Sequence, residues 1–138
     1  DHAGTYRGHV VGMRAGIRAI EYIQAHDLLA HARDLGEYIR ERLRDVASQT
    51  DRLADVRGKG LFIGAEFVDT DGHPDGDLVD AIQQYCFERG VLVWTAGRHG
   101  NVLRLLPPLV LTHELAETAL DVVVAAIEDL TAEATQAA

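Results

Sequence analysis

The sequence predicts a small α/β sandwich in which helices cover one face of a three- or four-stranded sheet. Four segments repeat apolar residues at helical spacing, and three short segments between them are apolar, β-branched or aromatic. The predicted order is helix, helix, strand, helix, strand, strand, helix, without an internal repeat. A length of 138 residues with 47% hydrophobic content suits one domain with one core.

Two helices are predicted first. Apolar or small residues recur between His9 and His26, so we expect a helix that packs closely through a thin side. Asp27 is a suitable N-cap for a second helix, whose apolar stripe runs from Leu28 to Val46. The charged residues outside that stripe are expected to be solvated: Arg33, Asp34, Arg40, Glu41, Arg42 and Arg44.

The first strand is predicted over residues 61–68, where aromatic and β-branched residues follow glycines. The preceding stretch from Gly58 to Leu61 superficially resembles a phosphate loop. A phosphate loop opens a helix, however, whereas this stretch leads into a strand, so we interpret it as a tight turn before that strand. Residues 69–76 are rich in turn formers and should lie on the surface.

The second half of the chain alternates the two patterns. A short amphipathic helix is predicted from Leu78 to about Gly90, followed by strands at 91–94 and 102–106. The last helix should begin near Thr112, and the alanine-rich tail after its apolar stripe is expected to fray.

Arg104 is the strongest candidate for a functional residue. It lies in an apolar strand that Pro107 and Pro108 end, because neither proline can donate a ladder hydrogen bond. A buried guanidinium is tolerated mainly when a planar anion pairs with it, which predicts recognition of a carboxylate. The alternatives are that Arg104 extends to a sheet edge or pairs with an internal acid such as Glu66.

The stretch Gly4-Thr5-Tyr6-Arg7-Gly8 before the first helix is a second candidate. Glycines let backbone N–H groups turn toward an anion, a threonine hydroxyl adds a donor, and a helix N-terminus favours negative charge. A phosphate could therefore bind there. The alternative is a helix-capping turn in which Thr5 is a local hydrogen bonder.

Composition disfavours several other functions. Thirteen basic and 22 acidic residues give a net charge of -9, which argues against nucleic acid, and no apolar run is long enough for a membrane span. Cys86 is the only cysteine, so we expect a reducing, cytoplasmic setting and an inert core thiol. His26 and His31 lie on different helix faces, so no metal site is expected. Trp94 should lie in the core or at an interface.

Five segments stand in the order and spacing of one family: Gly4-Thr5-Tyr6-Arg7-Gly8, Val56-Arg57-Gly58-Lys59-Gly60-Leu61, Glu66, Gly90-Val91-Leu92 and Leu103-Arg104-Leu105-Leu106-Pro107-Pro108-Leu109. Over residues 3–130 the chain resembles the C-terminal part of class III pyridoxal-phosphate-dependent aminotransferases, the group of the ornithine, 4-aminobutyrate and diaminobutyrate enzymes. The resemblance implies the small C-terminal domain of a fold-type I aminotransferase, with a mainly antiparallel sheet. Residues 1–26 would then lead from the large domain, and residues 27–138 would form the small domain.

The resemblance also implies roles for individual residues. Gly4 and Thr5 would bind the cofactor phosphate of the neighbouring subunit in a homodimer. Arg104 would bind the carboxylate of the amino acid or 2-oxo acid substrate. One departure is His9-Val10, where the family commonly has Asn-Pro, and it bears on the subunit contact near the helix start.

The family's Schiff-base lysine and the aspartate that pairs with the pyridine nitrogen lie upstream, in the large domain. Lys59, the only lysine in this chain, lies in the turn motif and is not expected to replace the Schiff-base lysine. The chain begins without methionine and is expected to come from the interior of a longer polypeptide. The expected function is amino-group transfer by the parent enzyme, with no catalytic residue in this chain. The alternative is a free-standing, non-catalytic domain for small-ligand binding or oligomerisation.

Overall fold

The computed structural model describes residue 4 and residues 7–136, with side chains described as far as residue 132. The elements are α1 (Val10–Ala25), α2 (Leu28–Ala47), β1 (Leu53–Lys59), β2 (Phe62–Phe67), α3 (Gly76–Glu88), β3 (Trp94–Ala96), β4 (Val102–Leu105) and α4 (His113–Gln136). The four strands form one antiparallel sheet in the order β1-β2-β4-β3. Helices α2 and α3 pack on one face of it, and α4 packs against both helices. The predicted α/β sandwich is confirmed, with four strands.

Alternation along β2 separates the two faces of the sheet. Ile63, Ala65 and Phe67 are buried against the helices, whereas Phe62 and Glu66 point the other way. We call the side turned toward the helices the covered face. The open face is the opposite side, which carries Arg57, Phe62, Gly64, Glu66, Trp94 and Arg104.

The sequence prediction missed strand β1. The stretch interpreted as a tight turn before a strand is in fact the end of β1 and the two-residue turn of a β1–β2 hairpin, with Lys59 paired to Phe62. Gly60 has a positive φ of 55°, which suits the first central position of a type II′ turn. Strand β1 escaped detection because only Leu53 is buried and Val56 half-buried, so no alternating pattern is visible in its sequence.

Helix α2 approaches this hairpin turn closely. A Cβ atom at Gly36 would lie 2.0 Å from the carbonyl oxygen of Gly60, so only glycine fits there. The contact also buries Arg40, which is 7% exposed, donates to the Gly60 carbonyl at 3.0 Å and pairs with Glu37 at 2.6 Å. The prediction that Arg40 is solvated was therefore wrong. Helical spacing does not reveal that the hairpin turn covers this side of α2.

Helix α1 differs from its prediction in another way. No residue of α1 is buried among the described residues, and its large apolar side chains Val10, Met13, Ile17 and Ile20 are 48–72% exposed. The closely packing side that the sequence predicts thus has no covering partner within the described part of the chain. Only Ile23 is half-buried, near the start of α2.

Asp27 occupies the predicted N-cap position of α2, but its side chain makes no capping hydrogen bond. Its backbone has a positive φ of 48°, and its carbonyl accepts from the N–H groups of Ala30 and His31. The connection between α1 and α2 is therefore a tight turn held by backbone groups.

The bounds of two further elements differ from the prediction. Strand β3 is Trp94–Ala96 instead of 91–94, because the residues before it bond to α3, with Val91 N–H donating to the Cys86 carbonyl. Helix α4 continues to Gln136, so the fraying predicted for the tail does not occur within the described residues. None of the described helices is both long and apolar enough to cross a membrane.

A candidate carboxylate-binding site on the open face

Arg104 lies in the middle of the open face. Strand β4 is flanked by β2 and β3, and Arg104 is in register with Gly64 on one side and Trp94 on the other. Gly64 has no side chain, and a Cβ there would come within 3.1 Å of Val102 Cγ1. Gly64 therefore places no side chain against the guanidinium, and the Val102 side chain, on the same face of β4, lies over this glycine. Strand β4 is an inner strand next to the edge strand β3, and the alternative that the Arg104 side chain extends to this edge stays a prediction.

The Nε atom of Arg104 is buried and has no hydrogen-bond partner. No other described residue forms an ion pair with this guanidinium either. A buried donor without a partner costs about 1–3 kcal/mol, and more when it is charged. Such a group suits a planar anion that accepts two parallel N–H bonds, as a carboxylate does.

Glu66, the internal partner considered for Arg104, binds elsewhere. Its Oε2 lies 2.6 Å from Nη1 of Arg57, and its Oε1 is 3.4 Å from the side-chain nitrogen of Asn101. The same Arg57 nitrogen pairs with Asp55 at 2.7 Å. These hydrogen bonds, first that of Asp55 and then that of Glu66, raise the pKa of Arg57. The internal Arg104–Glu66 pair is therefore not formed.

Two cavities meet at Arg104. One, of about 580 Å³, is lined by Phe87, Leu92, Trp94 and Leu106 as well as by Arg104. Its size is within the range of small-molecule pockets. Trp94 is 64% exposed, so the prediction of a core tryptophan was wrong, and a place at an interface stays a prediction.

The second cavity, of about 340 Å³, lies on the other side of Arg104 between β1, β2 and the loop before β4. Arg57, Gly58, Phe62 and Gly97 contribute to its walls. Arg104 therefore lines both cavities, the first beside β3 and α3 and the second on the open face.

The glycine stretch before α1 is described only in part. Gly4 is exposed and its carbonyl accepts from Arg7 N–H at 3.0 Å, while Gly8 has a positive φ of 78°. The backbone at Gly4 is thus accessible to a phosphate. Thr5 lies outside the described residues. The N-cap of α1 is His9, whose Nδ1 accepts from Gly12 N–H at 3.0 Å, and the alternative of a capping turn with Thr5 as hydrogen bonder stays a prediction.

Cys86 is fully buried on α3, and burial raises the pKa of its thiol to about 11. The prediction of an inert core thiol is confirmed. The two histidines on α1 and α2 also act locally, because His26 bonds the carbonyl of Tyr22 and His31 bonds that of Leu111.

One acidic cluster was not predicted. Ligand atoms of Asp69, Asp71 and His73 lie within 4.8 Å of one another in the surface loop before α3. Asp69 Oδ1 already accepts the backbone N–H groups of His73 and Asp71, which lowers the pKa of Asp69. The cluster therefore has a structural explanation as a loop closed by a carboxylate.

The fold is that of the C-terminal small domain of fold-type I aminotransferases. The chain belongs to the class-III aminotransferase family, whose model matches residues 1–127. Enzymes of this family depend on pyridoxal phosphate.

Several relatives illustrate the range of the family. The chain is 43% identical over 110 residues to an alanine/serine racemase from Pyrococcus horikoshii, covering 80% of this chain and 23% of that enzyme. It is 38% identical over 137 residues to a diaminobutyrate–2-oxoglutarate aminotransferase from Rhizobium meliloti, covering 94% of this chain and 29% of that enzyme. The chain thus spans less than a third of the length of either relative.

A solved structure gives the same picture. A phospholyase from Arthrobacter, in complex with phosphoethanolamine, superposes with a TM-score of 0.79 at 36% identity. The match covers 83% of this chain and 28% of that one. Racemases, aminotransferases and a phospholyase therefore share this domain.

Proposed function

We propose that this chain is the small C-terminal domain of a pyridoxal-phosphate-dependent aminotransferase, in which Arg104 binds the carboxylate of the amino acid and 2-oxo acid substrates. The observation that carries the proposal is the buried, unpartnered Nε of Arg104 at the centre of the open face. Arg104 is half-buried, so part of its guanidinium stays accessible, and no described residue supplies an acceptor for it. A substrate carboxylate supplies the missing acceptor.

Binding by Arg104 orients the substrate. Two parallel N–H···O bonds fix the carboxylate plane, which limits rotation of the adjacent Cα and presents one of its bonds to the cofactor. Trp94 flanks the guanidinium on β3, and Gly64 on β2 leaves room for the carboxylate. Pyridoxal phosphate, when bound, supplies the electron sink for cleavage at that carbon.

Two further contacts belong to the proposal. The backbone at Gly4 and the hydroxyl of Thr5 would donate to the phosphate of the neighbouring subunit's cofactor, which requires a homodimer. Residues 1–26 would lead from the large domain and residues 27–138 would form the small domain. The uncovered apolar side of α1 supports this division, because a large domain of the same enzyme would cover it.

The catalytic lysine would lie in the large domain. Lys59 is exposed at the end of β1, beside the hairpin turn, and lines neither of the two cavities at Arg104. If this chain is mixed with pyridoxal phosphate and reduced with borohydride, mass spectrometry should find no specific adduct. A stoichiometric adduct at Lys59 would contradict the proposal. Specific binding of pyridoxal phosphate without an adduct would favour a free-standing ligand-binding domain.

The direct test uses the full-length enzyme. Arg104→Ala should raise KM for carboxylate substrates. It should lower kcat/KM by an amount that corresponds to a loss of about 2–4 kcal/mol of transition-state binding. A primary amine that lacks a carboxylate should be affected far less. Arg33→Ala is the matched control, because Arg33 is exposed on α2, away from the open face. An unchanged kcat/KM in Arg104→Ala would remove Arg104 from the site.

A further inference from the structure

We propose that Arg57 is a positioning residue that holds Glu66 away from Arg104 and so keeps Arg104 available to the substrate carboxylate. The inference rests on the proposed function of Arg104. It adds a role for two residues that act through Arg104.

Glu66 lies within reach of Arg104. Glu66 pairs with Val102 and Gly64 pairs with Arg104, so Glu66 and Arg104 are diagonal neighbours on the same face of two adjacent strands. Diagonal neighbours in an antiparallel pair are about 7–8 Å apart at the backbone, a distance that long side chains bridge. Gly64 places no side chain between them, and Val102, opposite Glu66, is the side chain that lies next to this glycine. A glutamate in this position is therefore a built-in competitor of the substrate carboxylate.

Arg57 is the second cation within reach of Glu66, on the opposite side. Arg57, Gly64 and Arg104 form one row across the open face, with the glycine in the middle. Glu66 lies two residues along β2 from Gly64. It forms an ion pair with Arg57, with 2.6 Å between Arg57 Nη1 and Glu66 Oε2. The buried Asn101 side chain bonds the other carboxylate oxygen at 3.4 Å.

Asp55 determines which way the Glu66 side chain would move if Arg57 were lost. Asp55 and Glu66 are directly opposite in the β1–β2 register, and like charges in that arrangement repel each other. Arg57 neutralises both carboxylates through one nitrogen. Without Arg57 the repulsion from β1 would push the Glu66 side chain toward β4, where Arg104 is the nearest cation on the open face. Loss of Arg57 would thus turn Glu66 into an inhibitor of the site.

The test measures steady-state kinetics of the full-length holoenzyme with two donors, an amino acid and a primary amine without a carboxylate. Arg57→Gln should raise KM for the amino acid about 5- to 30-fold, the size expected for competition by one charge-assisted pair, with a smaller change in kcat. The KM for the amine should stay the same. Arg57→Lys, which keeps the charge, should restore most of the affinity.

The decisive variant is the double substitution Arg57→Gln with Glu66→Gln. It removes the competitor, so KM for the amino acid should return to within about twofold of the original enzyme. Glu66→Gln alone should bind the amino acid normally. Thermal unfolding of each variant checks that the fold is intact. If Arg57→Gln does not fold, Arg57→Met replaces it, with the same expected rise in KM and the same rescue by Glu66→Gln.

Three results separate the possibilities. If Arg57→Gln leaves KM unchanged while Arg104→Ala raises it, the inference about Arg57 fails and the proposed function stands. If Arg57→Gln raises KM and Glu66→Gln does not rescue it, Arg57 acts by another route and the inference fails. If Arg104→Ala also leaves KM unchanged, the proposed function itself is wrong.

Discussion

The two faces of the sheet carry different kinds of side chains. The covered face presents Ile63, Ala65, Phe67 and Leu103 to the helices, all at most 1% exposed. The open face presents two arginines, a glutamate and exposed aromatic rings, and it holds the one buried side-chain donor without a partner among the described residues. The covered face thus provides the apolar core, whereas the open face carries the proposed carboxylate-binding arginine.

The two faces also differ in whether their arginine is hydrogen-bonded within the chain. Arg40, on the helix layer above the covered face, is buried but bonds both the Gly60 carbonyl and Glu37. Arg104, on the open face, has an orphaned nitrogen. The buried arginine that supports the fold is satisfied within the chain, whereas the arginine that we propose to bind a carboxylate is not.

The largest expected effect separates two phenylalanines of the same strand. Phe67→Ala on the covered face should lower the free energy of unfolding by about 3–5 kcal/mol, because it removes a fully buried ring. Phe62→Ala, on the open face and 58% exposed, should cost less than about 1 kcal/mol. Urea unfolding followed by circular dichroism measures both. Similar losses at the two sites would contradict the division of roles between the faces.

The next effect concerns two Arg–Asp pairs. Asp75 Oδ2 pairs with the buried Arg52, and its Oδ1 accepts from Leu78 N–H as the N-cap of α3. Asp75→Ala should therefore cost about 2–4 kcal/mol in unfolding free energy. Asp55→Ala breaks the half-exposed pair with Arg57 and should change stability far less. A larger loss at Asp55 would show that the open face also supports the fold.

Cys86 beneath the covered face predicts a dependence on alkaline pH. Its folded-state pKa of about 11 lies above the usual thiol value, so the unfolded chain loses this proton first. The thiol's contribution is complete below the unfolded pKa and is lost as pH rises toward 11, by up to about 2 kcal/mol. Chemical unfolding at pH 8 and pH 10.5 tests this, with Cys86→Ala as the reference. An identical pH dependence in both proteins would contradict the buried thiol.

The smallest effect has the opposite sign. Arg104→Met removes an unsatisfied buried donor from the open face, so unfolding free energy should stay the same or rise by up to about 1 kcal/mol. Arg40→Met removes an arginine whose bonds are made, and should lower it. Thermal unfolding of the two variants provides the measurement. Marked destabilisation by Arg104→Met would mean that Arg104 serves the fold.

Much of the fold could be predicted because its elements carry local signals. The stripe of α2, the buried positions of β2 and the prolines after β4 each reflect the environment of a single element. Strand β1 and the burial of Arg40 could not be predicted, since both depend on how the hairpin and α2 meet. Similarly, the uncovered side of α1 has the same apolar spacing that a packed helix would have.

The candidate site could likewise be predicted only in part. The sequence by itself determined the family and the sandwich, and it made Arg104 the main candidate site residue, because an arginine among apolar residues before two prolines is visible in the sequence alone. Only the tertiary structure decided that Glu66 pairs with Arg57 and leaves Arg104 without a partner. The physical reason is that an ion pair depends on the register between strands, and register places residues together that no spacing along the chain connects.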